Sequence, residues 1–187
     1  MTRLLPLIFI FALALHALAE DTKNIVPNGS FEEIGDKGLP AAWTMPEEWR
    51  KKTYDEDWMA ESEDGKNFLR LIKRNTTDSL GIKMVVPVQK EWTSLEVSLR
   101  ARLADFEQGP EKWNGALIWL GFLDADGQQI GNFPNASLGI QENCQEWSEL
   151  RKTVTVPPEA AEMTVQIILA RSAGTFDVDD LEIVPVE

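Results

Sequence analysis

The chain has 187 residues, 31 acidic against 18 basic, a formal charge of -13, one His and one Cys. Phosphate binding needs clustered Lys and Arg, so a surface this acidic excludes nucleic acid as a partner. The one His, His16, lies in an N-terminal apolar run, and the chain beyond it has no imidazole for Ser-His-Asp or Cys-His catalysis or for holding zinc or haem.

That run, Leu4 to Ala19, follows Arg3 and closes in Ala17-Leu18-Ala19 before Glu20-Asp21-Thr22-Lys23. This is the order of charged, apolar and small-residue regions in a secretory signal. It is also shorter than the about 20 apolar residues of a membrane span. Residues 1–19 are therefore expected to be a signal peptide, and residues 20–187 one domain, secreted or periplasmic, with no membrane span. Cys144 has no intrachain mate, so such a fold stands on its core rather than on disulfides.

Beyond the signal the pattern is nearly all strand. A short helical turn is expected near Pro46 to Arg50, opening an acidic excursion from Glu47 to Asp64 that also holds Trp49, Tyr54 and Trp58. Phe68 to Lys73 and Gly81 to Val88 read as strands, with Ile82, Met84, Val86 and Val88 on one face. The clearest element is Leu95 to Leu103, where Leu95, Val97, Leu99, Ala101 and Leu103 alternate with polar residues. Period 2 over that length buries one face and leaves the other for solvent or a groove. Ala116 to Leu123 is apolar on both faces, as a central strand or one lining a cleft would be.

Asp124-Ala125-Asp126-Gly127 reads as a turn, Gly supplying a positive φ. A second helical turn is expected around Gln141 to Trp147. Trp147 to Val156 and Met163 to Leu169 are the next strands, parted by Pro157-Pro158, which cannot lie inside a sheet. In Phe176 to Ile183 the inward phase switches from Phe176 and Val178 to Leu181 and Ile183. A phase break at Asp179-Asp180 is what a β-bulge produces. The set predicts an all-β fold, two antiparallel sheets packed as a jelly-roll sandwich.

Oxygen-rich chemistry remains open to such a chain. Glu32-Glu33 near one end and Asp179-Asp180 near the other are candidate calcium ligands, since calcium takes carboxylate and carbonyl oxygens and needs no His or Cys. Ordinary solvated strand ends are the alternative. Seven tryptophans are present. With Ile118, Leu120 and Phe122 inward, Trp119 points outward beside Gly121, a flat stacking surface with nothing in the way. Tryptophan offers large rigid area at small entropy cost, which suits sugar faces as well as apolar ligands. Trp113, Trp49, Tyr54 and Trp58 are candidates to join it from loops. Paired carboxylates would also serve a glycosidase, but no pair here is set apart by apolar surroundings. Nucleotide-binding glycine motifs, HExxH and GxSxG are missing from the sequence.

Two end segments carry a family resemblance. Asn24-Ile25-Val26-Pro27-Asn28-Gly29-Ser30-Phe31-Glu32 with Leu39-Pro40-Ala41-Ala42-Trp43, and Gly174-Thr175-Phe176-Asp177-Val178-Asp179-Asp180-Leu181-Glu182-Ile183, resemble the first and last strands of carbohydrate-binding modules of the CBM4/9/22 type. Asp64 to Leu71 and Trp147 to Pro157 fit the middle of the pattern. The resemblance implies a galactose-binding-like β-sandwich with a structural calcium joining its terminal strands. It places the family's carboxylates on Glu32 and Asp180, with backbone oxygens near Ser30 and around Lys66. It implies a groove for poly- or oligosaccharide on the concave sheet, with Trp119 and Gln166 at the matching positions. The excursion at 47–64 departs from the family's compact loop.

Three readings stay open. One is a secreted, non-catalytic sugar-binding protein. Another is a structural or protein-interaction sandwich, partnering other secreted proteins, that keeps the calcium and lacks the groove. The third is a glycoside-acting enzyme with paired carboxylates. Export is common to all. Mass spectrometry of the protein from its own host is expected to place the N-terminus within two residues of Glu20; a chain beginning at Met1 would refute processing.

Overall fold

A computed structural model describes residues 23–50 and 58–186. The apolar run at 1–19 and Tyr54 lie outside the described residues. Nine strands are described: β1 (Trp58–Glu63), β2 (Lys66–Lys73), β3 (Leu80–Pro87), β4 (Ser94–Glu107), β5 (Gly115–Leu123), β6 (Ala136–Ile140), β7 (Cys144–Thr155), β8 (Glu162–Ala170) and β9 (Ala173–Val186). They form a five-stranded sheet, β1-β2-β9-β4-β7, and a four-stranded sheet, β3-β8-β5-β6, in which all strand pairs are antiparallel. A single helical turn, α1 (Glu47–Arg50), precedes β1. The architecture is an all-β, two-sheet jelly-roll sandwich with galactose-binding-like topology.

The alternating sequences set which face is buried. Leu95, Val97, Leu99, Ala101 and Leu103 of β4 are at most 1% exposed, while Ser98, Arg100 and Arg102 between them lie on the outer face. Opposite them, Ile82 and Met84 of β3, Val165 and Ile167 of β8, and Ile118, Leu120 and Phe122 of β5 complete the core. Each fully buried side chain of this kind contributes about 1.5–3 kcal/mol. β5 lies between β8 and β6, the central place that its double-sided apolar pattern requires.

The bulge lies where the phase breaks. Ser98 pairs with Glu182 and Arg100 with Asp179, so Leu99 faces both Asp180 and Leu181. Asp180 takes up the extra residue at φ +49°. Phe176, Val178, Leu181 and Ile183 are thereby all buried. The Asp180 side chain itself turns to the surface, where its carboxylate lies 2.8 Å from Nε of Arg100.

One local expectation changes. Gln141 to Trp147 holds no helical turn, because β7 begins at Cys144, paired with Leu103, and then bulges at Gln145 to Trp147 opposite Arg102 before Ser148 pairs with Ala101. Trp147 packs at the rim of that strand. It lies on the outer face of the five-stranded sheet, edge-on to Phe68 with ring centroids 5.5 Å apart. The Arg102 guanidinium lies over both rings, 4.5 Å from the centre of Trp147 and 5.2 Å from that of Phe68.

Under this cover Asp177 is only 2% exposed. Nε and an Nη of Arg70 donate to its two oxygens at 2.7 and 2.8 Å, and Nε of Arg102 donates at 2.7 Å. A buried carboxylate is tolerated only with such donors, and removing it leaves Arg102 with Glu63 at 3.0 Å and Arg70 with the more distant Glu61 at 3.8 Å as their remaining acidic partners among the described residues. Asp177→Ala is therefore expected to lower the unfolding free energy by about 3 kcal/mol, within the range for breaking a buried ion pair. Urea melts check it; an unchanged midpoint would show that the arginines re-solvate freely.

Candidate functional site

The outer face of the four-stranded sheet carries a transverse row of four side chains. Lys83 on β3 pairs in register with Gln166 on β8, Gln166 with Trp119 on β5, and Trp119 with Ser137 on β6. Residues directly opposite in a ladder share a face, so cation, amide, indole and hydroxyl lie side by side. Next to the row, Leu117, Ile168 and Ala170 form an apolar cluster separate from the main core. Trp119 and Trp49 both pack on this cluster, and α1 is the element that delivers Trp49.

Two loops complete the aromatic surface. Trp113, from the β4–β5 connection, is half exposed, with its ring centroid 6.1 Å from that of Trp119 and the planes tilted by 43°. Phe133, from the β5–β6 connection, stands edge-on to Trp119 at 5.8 Å. These three rings, with Leu117, Gln141 and Lys112, line a groove of about 630 Å³.

The loops are pinned by amide side chains. Nε2 of Gln141 donates to the carbonyls of Lys112 and Asn114, each at 2.9 Å, and Oδ1 of the fully buried Asn114 accepts from the Glu111 N–H at 2.9 Å. On the other side, Oδ1 of Asn135 accepts from the Phe122 N–H and from Nε2 of Gln129, both at 2.8 Å. Nδ2 of Asn135 donates to the Ile130 carbonyl at 2.8 Å. The Phe133–Pro134 peptide within this loop is cis. Trp113 and Phe133 are thus held by backbone-directed bonds on either side of the groove.

Three of the five predicted aromatic residues and Gln166 come together. Trp119, Trp113, Gln166 and Trp49 share this face. Trp58 does not, for it opens β1 at the edge of the other sheet, in register with Leu71. The 47–64 excursion therefore leaves this face at α1 and rejoins the fold on the opposite sheet. Gly121 is not the bare platform expected beside Trp119: the Phe133 ring fills the space that a Cβ there would need. Phe133, Gln141 and Lys83 were not legible as site residues. Phe133 and Gln141 stand in loops without periodicity, and Lys83 is an ordinary polar residue of an alternating strand.

The four residues placed at the terminal strands lie near one junction. The Glu32 carboxylate accepts the Asn67 N–H at 3.2 Å, and the Asn67 side chain donates back to the Glu32 carbonyl at 3.3 Å. This brings Glu32 to the Lys66 end of β2. The Gly29 carbonyl, next to Ser30, accepts the Leu181 N–H at 2.9 Å, next to Asp180. Burial raises the pKa of neighbouring Asp179, against the lowering pull of the Asp180 N–H and of Arg100. Among the described residues no group of three or more His, Cys, Asp and Glu is gathered for a metal. The oxygens at this junction, carboxylate and carbonyl, are nevertheless of the type that calcium takes.

No protein-family model and no curated protein sequence matches the chain. Among solved structures, it is similar to the enzymatically active domain of tailspike protein 4 from bacteriophage CBA120, with a TM-score of 0.59 and 13% identity. That match covers 87% of this chain and 21% of the tailspike chain, so this chain spans about a fifth of that protein. It is similar to TmCBM61, solved in complex with beta-1,4-galactotriose, at TM-score 0.53 and 13% identity over 88% of this chain and 99% of that one. A sugar binding protein from Bacteroides thetaiotaomicron, so described in provisional terms, gives TM-score 0.54 and 10% identity over 88% and 100% of the two chains. At these identities the likeness establishes the fold, the jelly-roll sandwich found among carbohydrate-binding modules.

Proposed function

We propose that this protein is a secreted, non-catalytic carbohydrate-binding module that takes a poly- or oligosaccharide on the outer face of its four-stranded sheet. The observation that carries the reading is the groove in which Trp113, Trp119 and Phe133 converge beside the polar row Lys83-Gln166-Trp119-Ser137. Aromatic faces pack against the C–H faces of a sugar, and flanking amides and hydroxyls meet its hydroxyl groups. Because the rings are held by pinned loops, little ordering cost opposes binding. None of the described residues lining the groove is Asp or Glu, whereas glycoside hydrolysis requires two carboxylates flanking the bond.

The galactotriose bound by TmCBM61 makes galactan the first glycan to test. Trp119→Ala is expected to weaken binding at least about tenfold, as loss of a central aromatic anchor does. The melting temperature should fall by only a few degrees, since Trp119 lies outside the main core. Titration calorimetry with the wild type and the variant checks both. A wild type that binds no glycan would instead favour the alternative of a protein-interaction sandwich.

A calcium ion belongs to the same proposal. Glu32 and the backbone oxygens of Ser30 and Lys66 would hold it, and Asp180 would join by giving up its contact with Arg100. A hard divalent cation there would tie the first described segment to β2 and β9. Binding only to the folded chain adds directly to stability. Chelator is expected to lower the melting temperature, and Asp180→Ala to abolish most of that response. A demetallated protein with no heat of calcium binding and an unchanged melt would overturn the ion.

A further inference from the structure

We infer that the saccharide taken by this face carries anionic groups, carboxylate or sulfate, which Lys112 in the aromatic groove and Lys83 at the end of the transverse row meet. This rests on the sugar-binding reading of that groove. The argument begins with how the protein's cations are used. On the outer face of the five-stranded sheet, every arginine is matched by a carboxylate: Arg70 and Arg102 by Asp177, Arg100 by Asp179, and Arg151 by Glu149. Those charges are neutralised within the protein.

The other face differs. Lys112 is the one ionisable side chain among the described residues lining the groove. Lys83 ends the transverse row, two strands from Trp119, or roughly 10 Å at the spacing of neighbouring strands. Neither ammonium group has an ion-pair partner among the described residues. At the outward positions of β3, β5, β6 and β8 the only carboxylate is Glu162, at the far end of β8. It lies four residues along the strand from Gln166, about 13 Å.

A chain of formal charge -13 therefore presents two lysines without ion-pair partners among the described residues at an aromatic groove whose described lining holds no Asp or Glu. A neutral glycan offers the two ammonium groups only uncharged hydroxyl acceptors. A glycan bearing carboxylate or sulfate groups would gain a charge-assisted hydrogen bond from each.

The test is titration calorimetry of the full secreted protein, at one fixed ionic strength, with three oligosaccharides of equal length: neutral galactotriose, trigalacturonate and a sulfated galactotriose. At least one anionic ligand is expected to bind at least about tenfold more tightly than the neutral one, the gain from one charge-assisted bond. Lys83→Gln with Lys112→Gln should erase that preference, bringing the affinity for the anionic ligands down to that for galactotriose. The carboxylate and sulfate arms identify the anion. Equal affinity for all three ligands, unaffected by the lysine substitutions, overturns this inference and leaves the sugar-binding reading intact. No binding of any ligand overturns both. Anionic binding that persists in Trp119→Ala and vanishes in the lysine variant would reveal simple charge attraction and also overturn the inference.

Discussion

The pairing of β9 with β4 holds the sandwich together. These two strands, each 14 residues long, lie next to each other inside the five-stranded sheet, with β2 and β7 as their outer neighbours. Both must present apolar side chains inward, yet β9 changes phase between Val178 and Leu181. The bulge at Asp180 reconciles the two halves: without it, either Phe176 and Val178 or Leu181 and Ile183 would point to solvent. A one-residue slip sends every side chain to the opposite face. The bulge therefore decides which carboxylates of β9 lie outside and where they meet the arginines of β2 and β4.

The two outer faces solve their surface problem in opposite ways. On the five-stranded sheet, acids and arginines interleave and Phe68 and Trp147 cover them, so that Asp177 is buried under its own counter-charges. Such a surface has its strong donors and acceptors already engaged. On the four-stranded sheet the outward residues are mostly apolar or neutral, and the aromatic rings stand apart enough to leave a groove. Among the described residues, a groove lined by aromatic rings and an amide is therefore found on the four-stranded sheet.

The rigidity of that groove comes from amides rather than from additional apolar burial. Gln141 and Asn114 brace the Trp113 loop, and Asn135 braces the Phe133 loop, each by bonds to backbone groups. An amide that reaches several backbone groups at once orders a loop that has few core contacts of its own. The two tryptophans stand tilted by 43° to each other. This tilt makes the surface a shaped notch rather than a flat shelf.

The sequence by itself determined whatever depends on local periodicity. The inward set of β4, the central position of β5, the bulge at Asp179-Asp180 and the outward direction of Trp119 all follow from which residues alternate, because a strand's side chains have a fixed period of two. The turn at Asp124 to Gly127 was equally legible, since Asp124 and a positive-φ Gly127 carry it locally. Only the tertiary structure decided which distant residues share the site. Phe133 closes over Gly121, Trp49 reaches the Leu117–Ile168 cluster, and Lys83 joins Trp119 through Gln166. Trp58, near Trp49 in sequence, ends on the other sheet. No period encodes these meetings: they depend on strand order and loop path, which are set when the whole chain packs.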